Sequence, residues 1–232
     1  MTQINLPDNA GAENARADQA RDDKTRQIAS DLAYRQIAIV NVVFYGQPNA
    51  GDGGWVLVDV GLPGSAADIR SAAQARFGGS GRPSAIVLTH GHFDHSPLFP
   101  TRPVDVSSRL RPLPDNGSVP GMSFWQWLHT PGHSPGHVSF WRPSDCLLIA
   151  GDAFITTRQE SVYRAATQEP EMHGPPMYFT PDWQSAKQSV KTLASLSPET
   201  VVTGHGQAMM GPQTRAALDQ LAARFDEVAI PQ

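Results

Sequence analysis

Residues 88–100 read Leu-Thr-His-Gly-His-Phe-Asp-His-Ser-Pro-Leu-Phe-Pro, and four metal-ligating side chains fall within six of them: His90, His92, Asp94 and His95. Imidazole and carboxylate suit Zn2+ and related first-row ions. Two histidines two apart share one face of a continuous strand, and at a strand end both can lean into one pocket. Asp94 and His95 follow within a tight turn and can aim at a neighbouring point. The plain alternative is a surface loop that happens to be rich in histidine. Four such residues at this density, directly after an apolar run, argue against it.

Three more candidates stand in equivalent places. His133 follows Trp125–Thr130, Asp152 follows Leu147–Gly151, and His205 follows Val201–Gly204. In sheet-based enzymes strand ends converge on the site. Each of the three has glycine beside it, which lets backbone approach a crowded centre. Singly, His133 and His205 read as turn histidines and Asp152 as a cap. As a set of strand-end ligand groups they point to a metal centre.

The elements that must position these residues follow from the patterning. Residues 1–30 are polar and lack apolar periodicity, so a mobile N-terminal tail is expected, helical in part around 13–30, with a single domain over 31–232. Ile37–Tyr45 and Trp55–Val60 read as strands joined by turn residues. Ser65 is placed to cap a helix over 66–77 with Ile69, Ala72, Ala73 and Phe77 on one face. Ala85–Leu88 reads as a strand buried on both faces. Further strands are expected over Val104–Leu113, Ser123–His129, Val138–Trp141, Cys146–Ala150 and Thr200–Thr203. Asp182 caps a helix to about Leu196, and a last helix covers about 212–227. Strands precede helices in both halves, which suggests an α/β protein of two packed sheets with helices outside.

Composition narrows the function classes. The chain has 232 residues, 40% hydrophobic and 17% charged, enough for a sizeable core. The net charge is −4 and no Lys/Arg cluster stands out, so nucleic acid is not an expected partner. Cys146 is the only cysteine, which rules out an intrachain disulfide and suits a reducing compartment. With no signal-peptide pattern and no membrane-length apolar run, a cytoplasmic protein without membrane contact is expected.

Taken in order, T-H-G-H-F-D-H, T-P-G-H, A-G-D and T-G-H-G resemble the metallo-β-lactamase fold superfamily of metallohydrolases over roughly residues 35–228. The resemblance implies a four-layer αββα sandwich with metals at one edge of the sheets. It places His90, His92 and His133 on one metal and Asp94, His95 and His205 on a second, with Asp152 bridging. Asp59, in V-D-V-G-L, matches a position that buttresses the metal loop. The implied activity is dinuclear hydrolysis of an ester, thioester, lactone or lactam-like bond in a small-molecule substrate, with a metal-bridging hydroxide attacking. Zn2+ is the expected ion, and Asp94 and Asp152 are the expected catalytic carboxylates. Relatives with di-iron redox chemistry carry Glu at the position of His92, so the chain reads as hydrolytic.

Where relatives have a helix after the D-H pair, this chain has Pro97, Pro100 and Pro103. Proline removes a donor and clashes with the preceding turn, so no ordinary helix fits. A connecting unit therefore reads as absent. Apolar surface left open there favours a homodimer, and a metal-binding member with weak or no catalysis is the alternative reading. A phosphodiesterase or nuclease is a weaker third, disfavoured by the acidic balance. Other residues have plainer readings. His129 and His137 read as strand or turn packing, with one of them orienting a ligand through a hydrogen bond as the alternative. His173, Tyr163 and Tyr178 lie in a stretch that lines the substrate pocket in the superfamily. Trp125, Trp127 and Trp141 read as core, and Cys146 as a buried strand residue rather than a nucleophile.

Overall fold

Leu32, Tyr34, Val42, Phe44, Val56 and Val58 recur every second residue, the period that puts side chains on one face of a sheet. In the computed structural model, which describes residues 23–95, 108–157 and 171–231, all six are buried. They lie on β2 (Leu32–Ile37), β3 (Val40–Tyr45) and β4 (Val56–Val58). With β1 (Arg26–Ala29) and β5 (Ala85–Val87) these form a five-stranded sheet in the order β1-β2-β3-β4-β5. Only the β4–β5 pair is parallel, and α1 (Ala66–Phe77) lies between those two strands in sequence. As expected, Ile69, Ala72, Ala73 and Phe77 form the buried face of α1. Phe77 stacks on Trp55 with ring centroids 4.7 Å apart.

The unit spanning Ala20–Trp127 departs from the sequence reading in several places. Arg26–Ala29, assigned to the polar tail, is strand β1 and pairs with β2. The expected single strand over 37–45 is broken after Ile37. Ala38 has φ 55°, so the chain reverses between β2 and β3 without the glycine that usually marks such a turn. Among the described residues β5 is an edge strand, and Ile86 is 54% exposed rather than buried. Ser65 stands at the N-cap of α1 but its side chain makes no capping hydrogen bond. Of the expected strand Val104–Leu113, residues 104–107 lie outside the described residues and 108–113 form no strand. The proline-rich connection 96–103 also lies outside them.

The other unit contains Leu128–Gln232. A six-stranded sheet runs in the order β11-β10-β9-β8-β7-β6. Its strands are β6 (Ser118–Val119), β7 (Met122–His129), β8 (Val138–Arg142), β9 (Leu147–Gly151), β10 (Thr200–Thr203) and β11 (Met209–Met210). The division falls within β7. β9 and β10 are parallel, with α2 (Trp183–Ser195) between them in sequence. Ala186, Val190, Leu193 and Ala194 give α2 a buried stripe at helical spacing. The predicted cap is present: Asp182 Oδ1 accepts the Ser185 N–H at 3.0 Å and Oδ2 accepts its hydroxyl at 2.7 Å. The last expected helix is two pieces, α3 (Pro212–Ala223) and α4 (Phe225–Val228), separated at Arg224. Cys146 is not in a strand: it is half-buried and left-handed (φ 51°) just before β9. Trp125 and Trp141 are buried, whereas Trp127 is half-buried and donates Nε1–H to the Pro114 carbonyl at 2.8 Å.

Candidate functional site

Two histidine–carboxylate clusters emerge, one in each unit. In the first, β5 ends at Val87 and delivers Thr89 and His90. The chain then turns so that the His95 N–H donates to the His92 carbonyl at 3.1 Å. The His90 ring lies 4.4 Å from that of His95 and 4.7 Å from that of His92, centroid to centroid. His90 and His95 are buried, while His92 and Asp94 are half-buried. This cluster is fixed by Asp59, itself buried and left-handed (φ 57°) just after β4. Asp59 Oδ1 accepts the Thr89 N–H and Oδ2 accepts the Thr89 hydroxyl, both at 2.8 Å. Oδ2 also accepts Nδ1–H of His95 at 3.0 Å. The backbone closes the same ring of contacts: Asp59 N–H donates to Val87 and Val60 N–H to His95.

These partners set the tautomers. A carboxylate only accepts, so His95 carries its proton on Nδ1. Thr89 spends its hydroxyl proton on Asp59, so His90 Nδ1, 3.0 Å from that oxygen, is the donor. Both rings therefore keep Nε2 unprotonated, the arrangement that a buttressing hydrogen bond gives to metal-binding histidine.

In the second cluster Asp152 directly follows β9, His133 lies four residues after β7, and His205 lies two after β10. All three are buried. Asp152 Oδ2 is 3.4 Å from His133 Nε2 and 3.2 Å from His205 Nε2. Thr180 donates its hydroxyl to the Pro176 carbonyl at 2.7 Å, so His133 Nδ1, 3.2 Å from Thr180 Oγ1, is the donor there. The Nε2 that His133 presents to Asp152 is then a lone pair facing an acceptor-only carboxylate oxygen. That approach is repulsive unless a cation or proton stands between the two atoms. Imidazole nitrogens and a carboxylate are ligand types that could hold a divalent first-row ion.

Two glycines act as expected, but against protein. Gly132 has φ 131°, and a Cβ there would run into the backbone of Ala186 in α2. Gly206 has φ 97°, and a Cβ there would lie 2.5 Å from Thr156 Oγ1. Thr156 and Thr203 hold the His205 carbonyl: Thr156 N–H donates at 3.1 Å and the Thr203 hydroxyl at 2.6 Å.

The structure also corrects the weighting of neighbouring residues. His137, read as packing, is fully buried and its Nε2 accepts the backbone N–H of Asp152 at 2.9 Å. His129 is exposed and bonded to the Pro135 carbonyl. Tyr178 is 74% exposed, and His173 is buried in a backbone bridge with Ile155. Tyr163 lies outside the described residues. The sequence reading missed the supporting hydroxyls of Thr89, Thr130 and Thr180. For Thr89 a signal existed: it opens T-H-G-H beside the histidine it serves, whereas Thr130 opens T-P-G-H but bonds His137, seven residues on.

Mixed sheets with histidine–carboxylate clusters after their strands make this an α/β protein with candidate metal-binding groups. The sequence matches the metallo-beta-lactamase superfamily over residues 37–96 and 98–205, and the chain belongs to that family. It is 38% identical over 238 aligned residues to the probable metallo-hydrolase YflN of Bacillus subtilis (strain 168), covering 83% of this chain and 90% of that protein. Among solved structures it resembles a beta-lactamase domain protein from Burkholderia ambifaria, with TM-score 0.63, 17% identity and coverage of 90% of this chain and 79% of that one. A metallo-beta-lactamase family protein from Thermus thermophilus gives TM-score 0.55 at 18% identity over 86% of this chain and 81% of that one. The metallo-β-lactamase fold expected from the motifs is thus the fold of the chain, which is a hydrolase of that superfamily. No helix among the described residues is long and apolar enough to cross a membrane.

Proposed function

We propose that the chain is a dinuclear metal-dependent hydrolase that opens an ester, thioester, lactone or lactam-like bond in a small molecule. The observation that carries this reading is the facing of His133 Nε2 and His205 Nε2 onto one oxygen of Asp152, at 3.4 and 3.2 Å. In this reading His90, His92 and His133 hold one ion, and Asp94, His95 and His205 hold a second. Asp152 would serve both, and Zn2+ would be the ion. Bound divalent ions supply Lewis acidity and lower the pKa of water towards neutrality.

The protein's own part is orientation and proton handling. Asp59, through Thr89 and His95, keeps the imidazoles of His90 and His95 in the tautomer protonated at Nδ1. Thr180 does the same for His133. Asp94 is half-buried, unlike Asp152, and so is open to exchange a proton with substrate or solvent. His92 in place of an acidic ligand supports hydrolysis over redox chemistry. The net charge of −4 supports a substrate other than nucleic acid, and the single cysteine supports a cytoplasmic setting.

The test is turnover on a panel of lactones, thioesters and β-lactams, with bis-(p-nitrophenyl) phosphate as the phosphodiester control, by zinc-reconstituted wild type, His90→Ala and Asp152→Ala. The expected result is turnover on an acyl substrate that falls by at least about a hundredfold in both variants. Full metal occupancy without turnover on any substrate favours the metal-binding alternative instead.

A further inference from the structure

His137 lies four residues beyond His133 and outside the proposed ligand set. It is fully buried, as is its partner Thr130. Its two ring nitrogens have different jobs. Nε2 accepts the backbone N–H of Asp152 at 2.9 Å. Nδ1 is 2.8 Å from Thr130 Oγ1, which is 2.9 Å from Ser139 Oγ, and Ser139 donates to the Ala150 carbonyl at 2.9 Å.

Every proton in this chain is assigned by its ends. A carbonyl only accepts, so Ser139 spends its hydroxyl proton on Ala150. Thr130 then donates to Ser139 and must accept from His137, which places the imidazole proton on Nδ1. Starting instead from the Asp152 amide, which only donates, gives the same answer: Nε2 is bare and Nδ1 is protonated. The chain of bonds begins at the Asp152 N–H and ends at the Ala150 carbonyl, so it closes on the end of β9, the strand that delivers Asp152. Its polar groups are buried and mutually satisfied, the condition under which such networks hold a single geometry.

We infer that His137, locked as the Nδ1–H tautomer by the Thr130–Ser139 hydroxyl relay, is a positioning residue that fixes the backbone of Asp152 and so aims its carboxylate. The inference deepens the proposed function, and rests on it for the consequence at the metal. The relay itself stands on this geometry alone.

The test uses Thr130→Val and Thr130→Ser in the full chain, with metal-free and zinc-titrated samples. Valine keeps the shape and removes the hydroxyl, whereas serine keeps the hydroxyl and removes the methyl, so packing and hydrogen bonding predict opposite orders. In wild type, long-range 1H–15N spectra should show His137 protonated at Nδ1. Exchange of the Asp152 amide should quicken on the order of tenfold in Thr130→Val and stay near wild type in Thr130→Ser. Zinc affinity, from competition with a chromophoric chelator, should fall about tenfold or more in the valine variant alone. A proton on Nε2 of His137 in wild type overturns the inference, as does slower Asp152 exchange in the valine than in the serine variant. Failure of wild type to bind zinc contradicts the proposed function instead, and the tautomer and exchange still decide the relay.

Discussion

The carboxylate of Asp59 lies 3.0 Å from Nδ1 of His95, 36 positions later in the chain. The same carboxylate takes both the amide and the hydroxyl proton of Thr89. One buried side chain thus ties the end of β4 to the start and finish of the histidine-rich turn. Asp59→Ala leaves the Thr89 amide and the His95 ring without their acceptor in a dry site. The expected loss of folding stability is about 3 kcal/mol in urea unfolding. A loss under about 1 kcal/mol would show that water replaces the carboxylate and that the turn is not held by it.

Gly132→Ala tests the backbone beside His133. The residue needs φ 131°, and its missing Cβ is what lets the loop rest on Ala186. Both the strained angle and the overlap oppose a methyl group, so the substitution should cost at least about 2 kcal/mol. Thermal unfolding read by circular dichroism measures it. An unchanged midpoint contradicts the close approach.

Acid sensitivity is expected in the loop before β4. Asp52 is held below the usual carboxylate range, first by the Ser80 hydroxyl and then by the Arg82 amide. A carboxyl group lowered on folding stabilises the fold above its unfolded pKa, and this contribution disappears as pH falls through the folded value. Asp52→Asn should therefore have a lower urea midpoint than wild type at about pH 7, with the two converging once the pH falls below the usual carboxylate range. A gap that persists unchanged into acid would contradict the assignment.

The sequence made the histidine–carboxylate clusters more legible than the elements around them. Ligand spacing and apolar runs directly before His90, Asp152 and His205 carried the motif. Helix α1, with its stripe from Ile69 to Phe77, was equally plain. Ala38 was not, because a non-glycine residue at φ 55° gives no turn signal. Ile86 misled for a different reason: an apolar run of four reads alike in a central and an edge strand. The roles of Thr130 and Thr180 could not be read at all, and that of His137 only as the alternative to packing. They depend on which hydroxyl proton is already committed, and that is a property of tertiary contacts such as Thr180 with Pro176.

The central claim is that these side chains hold two divalent ions. It is tested most directly by metal stoichiometry, using mass spectrometry of chelated protein reconstituted with zinc and desalted, alongside Asp152→Ala. The account predicts about two ions per chain in wild type and a clear loss in the variant. A wild-type chain that retains no metal, or an Asp152→Ala chain that retains as much as wild type, would contradict it.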